Sequence, residues 1–218
     1  MKLQFISDVA CPWCAIGLNS LEIALARIGD DAKVELSFEP FELNPDMPPE
    51  GEDATAHLAR KYGRSPEELA ATRAMIRERG NEVGFTFGPR ERIWNTFDAH
   101  RMLHWAGTQG RQRELKHALL AAYHTRGENP GATEVLVRLA GEVGLDEERA
   151  RQILASDEYR GEVRQRVHHW QQLGINSVPS LIVDERYLIQ GGQPPEAFEQ
   201  ALRQIAAESG TASRATTS

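Results

Sequence analysis

Cysteine is scarce in this chain of 218 residues, which holds only two. Without a second cysteine pair, or a histidine pair at finger-like spacing, a structural zinc site built within one chain is excluded. Long apolar runs are also missing: no stretch approaches the ~18 uninterrupted apolar residues of a membrane span. No basic segment followed by an apolar one precedes the first β-prone run, which begins at Lys2 or Leu3. Positive charge is in deficit, with 25 Lys and Arg against 32 Asp and Glu and a net charge of −7, which argues against nucleic acid or an anionic membrane as partner. No Gly/Ser-rich hinge, internal repeat or low-complexity block divides the chain. What remains is an ordinary composition, 40% hydrophobic and 26% charged, suited to one large domain or one domain with an insertion. A cytoplasmic setting is expected, and a close cysteine pair is there more often catalytic than structural.

The two cysteines form Cys11-Pro12-Trp13-Cys14, between an apolar run, Leu3 to Ser7, and a helical pattern. Ile16, Leu21, Ala24, Leu25 and Ile28 recur at helical spacing up to Gly29. Cys11 therefore falls near the helix N-cap and Pro12 at the first helical position, where proline is tolerated. A helix N-terminus offers unpaired N–H groups and partial positive charge, both of which stabilise a thiolate, the species that attacks disulfides. Cys14 lies about one turn later, within reach of Cys11. The pattern points to thiol–disulfide exchange, with Cys11 as the exposed nucleophile and Cys14 as the resolving thiol. Three other readings stand beside it: a metal shared by two subunits, a structural disulfide across a very short loop, and two inert buried thiols.

Further along, Val34 to Phe38 reads as a strand and Asp46 to Asp53 as a Pro- and Glu-rich loop. From there to about Gly174 the pattern is almost wholly helical. Ser65-Pro66-Glu67-Glu68 is a capping box, Asn95 or Thr96 can cap a helix, Thr133 and Asp146 can start two more, and Asp157 to Leu173 reads as a longer one. Pro179 to Val183 and Tyr187 to Gln190 form a hairpin, followed by a helix from Pro194-Pro195-Glu196 to about Ala206. The order β-α-β, helical block, helix, β-β-α predicts one sheet interrupted by an all-helical insertion. The expected division is 1–45 and 157–208 for the sheet-bearing domain, 46–156 for the insertion, and 209–218 for a disordered tail.

Several separated segments together resemble a known family. They are Ser7 to Gly17 around the cysteines, Phe41-Glu42-Leu43-Asn44-Pro45, Asn95 to Arg101, Gly174 to Ser180, and Gly191-Gly192-Gln193. The chain is similar to the DsbA-like thioredoxin-fold oxidoreductases, closest to the bacterial cytosolic branch related to polyketide-biosynthesis oxidoreductases. Relatives of that branch are 2-hydroxychromene-2-carboxylate isomerases and kappa-class glutathione transferases. The resemblance implies an α/β thioredoxin-like fold with an inserted helical subdomain. It also implies a cis-proline at Pro179, preceded by Val178, facing a redox pair Cys11–Cys14 tuned by Pro12 and Trp13. Trp13 stands where the periplasmic oxidant has histidine, which implies a milder oxidant. Val178, Pro179, Asn95 and His100 are the implied substrate-binding residues, with helix capping as Asn95's competing role. Glu42 and Asn44 are cleft candidates. Asp8 can either raise the thiol pKa or cap the strand end, and His100 and His104 share one helix face without a metal-binding motif around them. No metal or cofactor is expected beyond the redox disulfide. Partners are protein thiols or small thiols, with glutathione a candidate co-substrate and a homodimer a candidate assembly. The isomerase and transferase relatives carry serine where this chain has Cys11. A glutathione-dependent isomerase or transferase and a chaperone-like binder of unfolded chains are the alternative functions.

Overall fold

The computed structural model describes residues 1–29 and 33–215, with residues 209–215 as backbone alone. Strand β1 (Lys2–Ser7) runs into helix α1 (Pro12–Ile28), and β2 (Glu35–Pro40) returns parallel to β1. At the other end of the chain, β5 (Ser180–Val183) lies antiparallel on β1, and β6 (Tyr187–Gln190) closes a hairpin with β5. The sheet order is β2-β1-β5-β6. Alternation along β1 sends Leu3 and Phe5 to one face, against Leu18 and Leu21 of α1. Ile6 points to the other face, against Trp170 and Ile175. Helix α9 (Pro195–Ala215) repeats Phe198, Leu202 and Ile205 at helical spacing and packs beside α1 on the first face. Each such buried side chain contributes roughly 1.5–3 kcal/mol relative to exposure.

Between β2 and β5 lie α2 (Ala54–Tyr62), α3 (Pro66–Glu82), α4 (Phe97–Thr108), α5 (Gln112–His124), α6 (Thr133–Glu142), α7 (Glu147–Leu154) and α8 (Arg160–Gln172). Helices α4 to α7 enclose their own aliphatic core, including Leu103, Leu119, Leu136 and Ile153. The capping box is present at α3, where Ser65 Oγ accepts from the Glu68 N–H and the Glu68 carboxylate accepts from the Ser65 N–H.

Three expectations need correction. A second, two-stranded sheet of β3 (Glu52–Asp53) and β4 (Arg92–Ile93) interrupts the helical block; strands of two residues carry no readable period. Helix α8 begins at Arg160 rather than Asp157. The buried guanidinium of Arg101 collects the carbonyls of Ile153, Ser156 and Glu158, holding the α7–α8 connection in a turn with Tyr159 at φ 61°. Helix α9 continues to Ala215, through the segment expected to be a disordered tail. No proline stops it, and Gly210 alone costs only about 1 kcal/mol in a helix. Residues 216–218 of that expected tail lie outside the described residues.

Candidate active site

Cys11 is the N-cap of α1, with extended backbone at φ −89° and ψ 115°, and Pro12 opens the helix as its first residue. No side chain caps this helix end, and no acidic residue lies in its first turn, so the helix itself brings no negative charge to its N-terminal end. Cys14 follows 3.5 Å from Cys11, both as free thiols. Cys14 is fully buried. Cys11 is only 4% exposed, which corrects the expectation of an exposed nucleophile. Its sulfur instead lines the floor of a cleft of about 1060 Å³ and lies 3.7 Å from the Val178 carbonyl oxygen.

The Val178–Pro179 peptide is cis, as the resemblance implies. The loop that carries it packs so closely on α1 that a Cβ at Gly17 would meet Pro179 Cγ at 3.0 Å. Trp13, Val178, Glu42 and Asn44 line the cleft with Cys11, together with Tyr62 and Met75 from α2 and α3. Tyr62 and Met75 are 56% and 43% exposed.

The two thiols are driven apart in acidity. The hydrogen bond from Cys14 holds the Cys11 thiol below the ordinary range against the opposing effects of burial and Asp8. Burial, with the neighbouring Cys11, pushes Cys14 well above it. Asp8 takes both roles the sequence left open. Its buried carboxylate closes the β1–α1 turn by accepting from the Ala10 N–H at 3.0 Å, from the Leu43 N–H at 2.7 Å and from Thr96 Oγ1 at 2.8 Å. Its negative charge also opposes ionisation of Cys11. Although burial alone would raise the Asp8 pKa, these bonds and His100 hold it below the usual carboxylate value.

Asn95 and His100 are not on the cleft. Asn95 lies one residue before the Thr96 N-cap of α4, its Oδ1 accepting from the Phe97 N–H at 2.8 Å while Nδ2 donates to the Met47 carbonyl. His100 is 3% exposed and lies beneath the cysteine loop with Nε2 3.5 Å from Asp8 Oδ1. Asn95 precedes α4 and His100 lies in its first turn. Residues the sequence reading passed over reach the same junction from α5. His124 Nε2–H donates to the Val9 carbonyl at 2.8 Å, and Lys116, fully buried, acts electrostatically on both cysteines and on Asp8. Lys116 falls beside the buried Leu115 and one turn before the buried Leu119 and Leu120, so a lysine among the leucines of α5 was the available signal.

The sequence matches the DSBA-like thioredoxin domain family over residues 2–203. The chain belongs to that family. It is 34% identical to a solved structure from Streptomyces coelicolor, the probable DsbA oxidoreductase SCO1869, with a TM-score of 0.88 over 95% of this chain and 91% of that one. It is 27% identical to YwbO of Bacillus subtilis (strain 168), over 93% of this chain and 96% of that protein. The cytosolic disulfide reductase DsbM from Pseudomonas aeruginosa, solved with GSH, shares the fold at 16% identity and a TM-score of 0.67, over 94% of this chain and 98% of that one. Among the described residues, no helix is long and apolar enough to cross a membrane, and no cluster of His, Cys, Asp or Glu suits a metal ion.

Proposed function

We propose that this DsbA-like protein is a thiol–disulfide oxidoreductase whose redox centre is Cys11–Cys14, acting in the cytoplasm on small thiols such as glutathione or on protein thiols. The observation that carries this reading is the placement of two thiols 3.5 Å apart, one at a helix N-cap lining a cleft and the other fully buried. In the reducing direction, the Cys11 thiolate attacks a substrate disulfide. One substrate sulfur leaves as a thiolate, and a mixed disulfide forms on Cys11. Cys14 then loses its proton and attacks the Cys11 sulfur, the bond to the second substrate sulfur breaks, and the Cys11–Cys14 disulfide holds the oxidising equivalent. The reverse sequence oxidises a dithiol.

The Val178 carbonyl beside Cys11 suits an extended substrate backbone. Arg64, at the cleft, and Arg77, in the adjoining hollow beside Pro12, make no ion pair among the described residues and suit the carboxylates of a glutathione-sized peptide. An isomerase or transferase would need Cys11 alone and leaves the position of Cys14 without a use.

The deciding experiment is a redox titration against glutathione, with Cys11 alkylation rates followed against pH. The expected result is a reversible two-electron couple and an alkylation midpoint below the ~8.5 of an ordinary thiol. Tight retention of glutathione with no disulfide at any poise would overturn the reading in favour of conjugation or isomerisation.

A further inference from the structure

The substrate cleft adjoins a second hollow of about 470 Å³, between α3 and the loop that leads to β4. Pro12, Ile76 and Arg90 line both spaces, so the two meet beside the cysteine loop. Its volume is that of a small-molecule site, in general roughly 300–1,000 Å³. Three guanidinium groups line it. Arg73 and Arg77 stand one turn apart on one face of α3, and Arg90 enters from the loop.

Neutral partners hold two of these groups in place. Arg73 donates to Thr55 Oγ1 at 2.8 Å, and Arg90 donates to the Ala10 carbonyl at 3.2 Å, one residue before Cys11. None of the three arginines makes an ion pair among the described residues. Two carboxylates line the same hollow. Asp53 is committed as the N-cap of α2, accepting from the Ala56 N–H at 2.8 Å, and Glu91 is exposed. Beyond the hollow, half-exposed arginines of α8 are matched with acids, Arg164 with Glu42 and Arg166 with Glu39. Folding gives no reason to gather three unmatched guanidinium groups beside a reactive sulfur, whereas an anionic ligand does.

We propose that this hollow is the subsite for the leaving arm of the substrate disulfide, and that Arg73 and Arg77 select an arm that carries a carboxylate. The inference rests on the disulfide-exchange reading and adds to it a second binding site. Displacement at sulfur puts the attacking and leaving sulfurs on opposite sides of the central one, so a substrate disulfide needs room for two bodies around Cys11. The body that stays joined to Cys11 lies in the cleft, beside the Val178 carbonyl. The body on the departing sulfur takes the hollow past Pro12. The Cys11 thiolate bonds to the near sulfur, and the substrate S–S bond breaks with its electron pair on the far one. That sulfur leaves as a thiolate, its arm held by the α3 arginines, and takes a proton from water. The substrate class is therefore a disulfide with a carboxylate on each arm, one facing Arg64 in the cleft and one facing Arg73 and Arg77 in the hollow.

The test compares single-turnover reduction of glutathione disulfide and of its carboxyl ester, which differ only in the carboxylates. The proteins are the full chain, Arg77→Gln, and Arg111→Gln, which removes one charge outside both spaces. The ratio of the two rates should fall about tenfold in Arg77→Gln and keep the parent's value in Arg111→Gln. Added salt should shrink the parent's ratio. Because each ratio is taken within one protein, a loss of folded material cancels. The arm is identified with the unsymmetrical disulfide of glutathione and its ester, trapped on Cys11 in a Cys14→Ser background and weighed intact. Adding Arg77→Gln there should raise several-fold the share of the carboxylate-bearing arm kept on Cys11. An unchanged or lower share overturns the proposal. So does a ratio in Arg77→Gln within about twofold of the parent's, or an equal fall in Arg111→Gln; each leaves disulfide exchange intact. A parent that forms no Cys11–Cys14 disulfide with either probe overturns both.

Discussion

The sheet and the helical block meet at the turn between β1 and α1, and they supply different things to it. The sheet side contributes the sulfurs, the helix N-terminus and the Val178 carbonyl, all within short reach of one another along β1, α1 and the loop before β5. The helical block contributes no cysteine. It supplies a layer of polar groups beneath: Thr96 and His100 on Asp8, His124 on the Val9 carbonyl, and the buried Lys116, whose charge acts on Cys14 and Asp8. Geometry comes from one side and electrostatic environment from the other. A sheet with its first helix could present the same Cys-x-x-Cys, but the acidity of its thiols would then be set by solvent.

The comparison predicts that variants on the sheet side change whether exchange occurs, and variants beneath it change at what pH. The largest effect belongs to Cys11→Ser. A hydroxyl does not ionise near neutrality, so disulfide exchange should fall to the uncatalysed background, a loss of ~10³-fold or more, measured as glutathione-linked insulin or model-disulfide reduction. Cys14→Ser should instead keep the first attack and stop at the mixed disulfide, which intact-mass measurement would record. Full turnover by Cys14→Ser would mean the second sulfur is not used.

Next in size is Asp8→Asn, which breaks the bridge between the two sides. The amide cannot accept from Ala10, Leu43 and Thr96 together, and the loss should be about 2–3 kcal/mol in denaturant unfolding. The same change removes a negative charge that opposes Cys11 ionisation, so the alkylation midpoint should fall. A midpoint that rises would show that the Asp8 carboxylate supports the thiolate through its hydrogen bonds more than it repels it.

His124 tests the lower layer by pH. Burial, with the Arg90 cation nearby, pushes its pKa down to about 3. The unfolded chain takes up that proton near the ordinary value of about 6.5, while the folded chain resists it to about 3. The contribution to stability is therefore full above about pH 6.5 and is lost progressively as pH falls toward 3, on the order of a few kcal/mol. His124→Gln keeps a donor for the Val9 carbonyl but does not titrate, so its unfolding midpoint should vary less between about pH 6.5 and 4 than the parent's. Equal slopes in the two proteins would place the acid sensitivity elsewhere.

What was legible follows the same division. Cys11, Pro12 and the apolar repeat of α1 are local signals within one turn and one helix, and the strands, the hairpin and the Ser65 capping box were readable for the same reason. The lower layer is made of contacts between distant parts of the chain, such as Thr96 to Asp8 across 88 residues and His124 to Val9 across 115. Side chains that act at that distance carry no spacing that announces their partner. Asn95 and His100 were placed in the cleft by family likeness, whereas local chemistry decided their positions: Asn95 folds its side chain onto the Phe97 N–H and the Met47 carbonyl, and His100 lies 3.5 Å from the buried Asp8 carboxylate. The extent of α9 and the two-residue strands were missed because neither ends nor begins with a distinctive residue pattern.

The smallest expected effect is the most discriminating for geometry, because it alters no charge. Gly17 lies in α1 one turn past Cys14, and an added Cβ would meet Pro179 Cγ at 3.0 Å and the Gly192 Cα at 3.3 Å. Gly17→Ala gains up to about 1 kcal/mol of helix propensity. Crowding against the Pro179 loop costs about 1–3 kcal/mol, so the net change should be a loss near 1 kcal/mol. The loop must yield by a few tenths of an ångström, which moves the Val178 carbonyl away from its 3.7 Å approach to Cys11 Sγ. Exchange with an extended peptide disulfide should slow several-fold, since its backbone would lie against that carbonyl, while alkylation by a small reagent should keep its rate and its pH midpoint. An alkylation midpoint displaced as far as in Asp8→Asn would mean that the position of this loop also sets the acidity of Cys11, and the sheet side would then govern both properties.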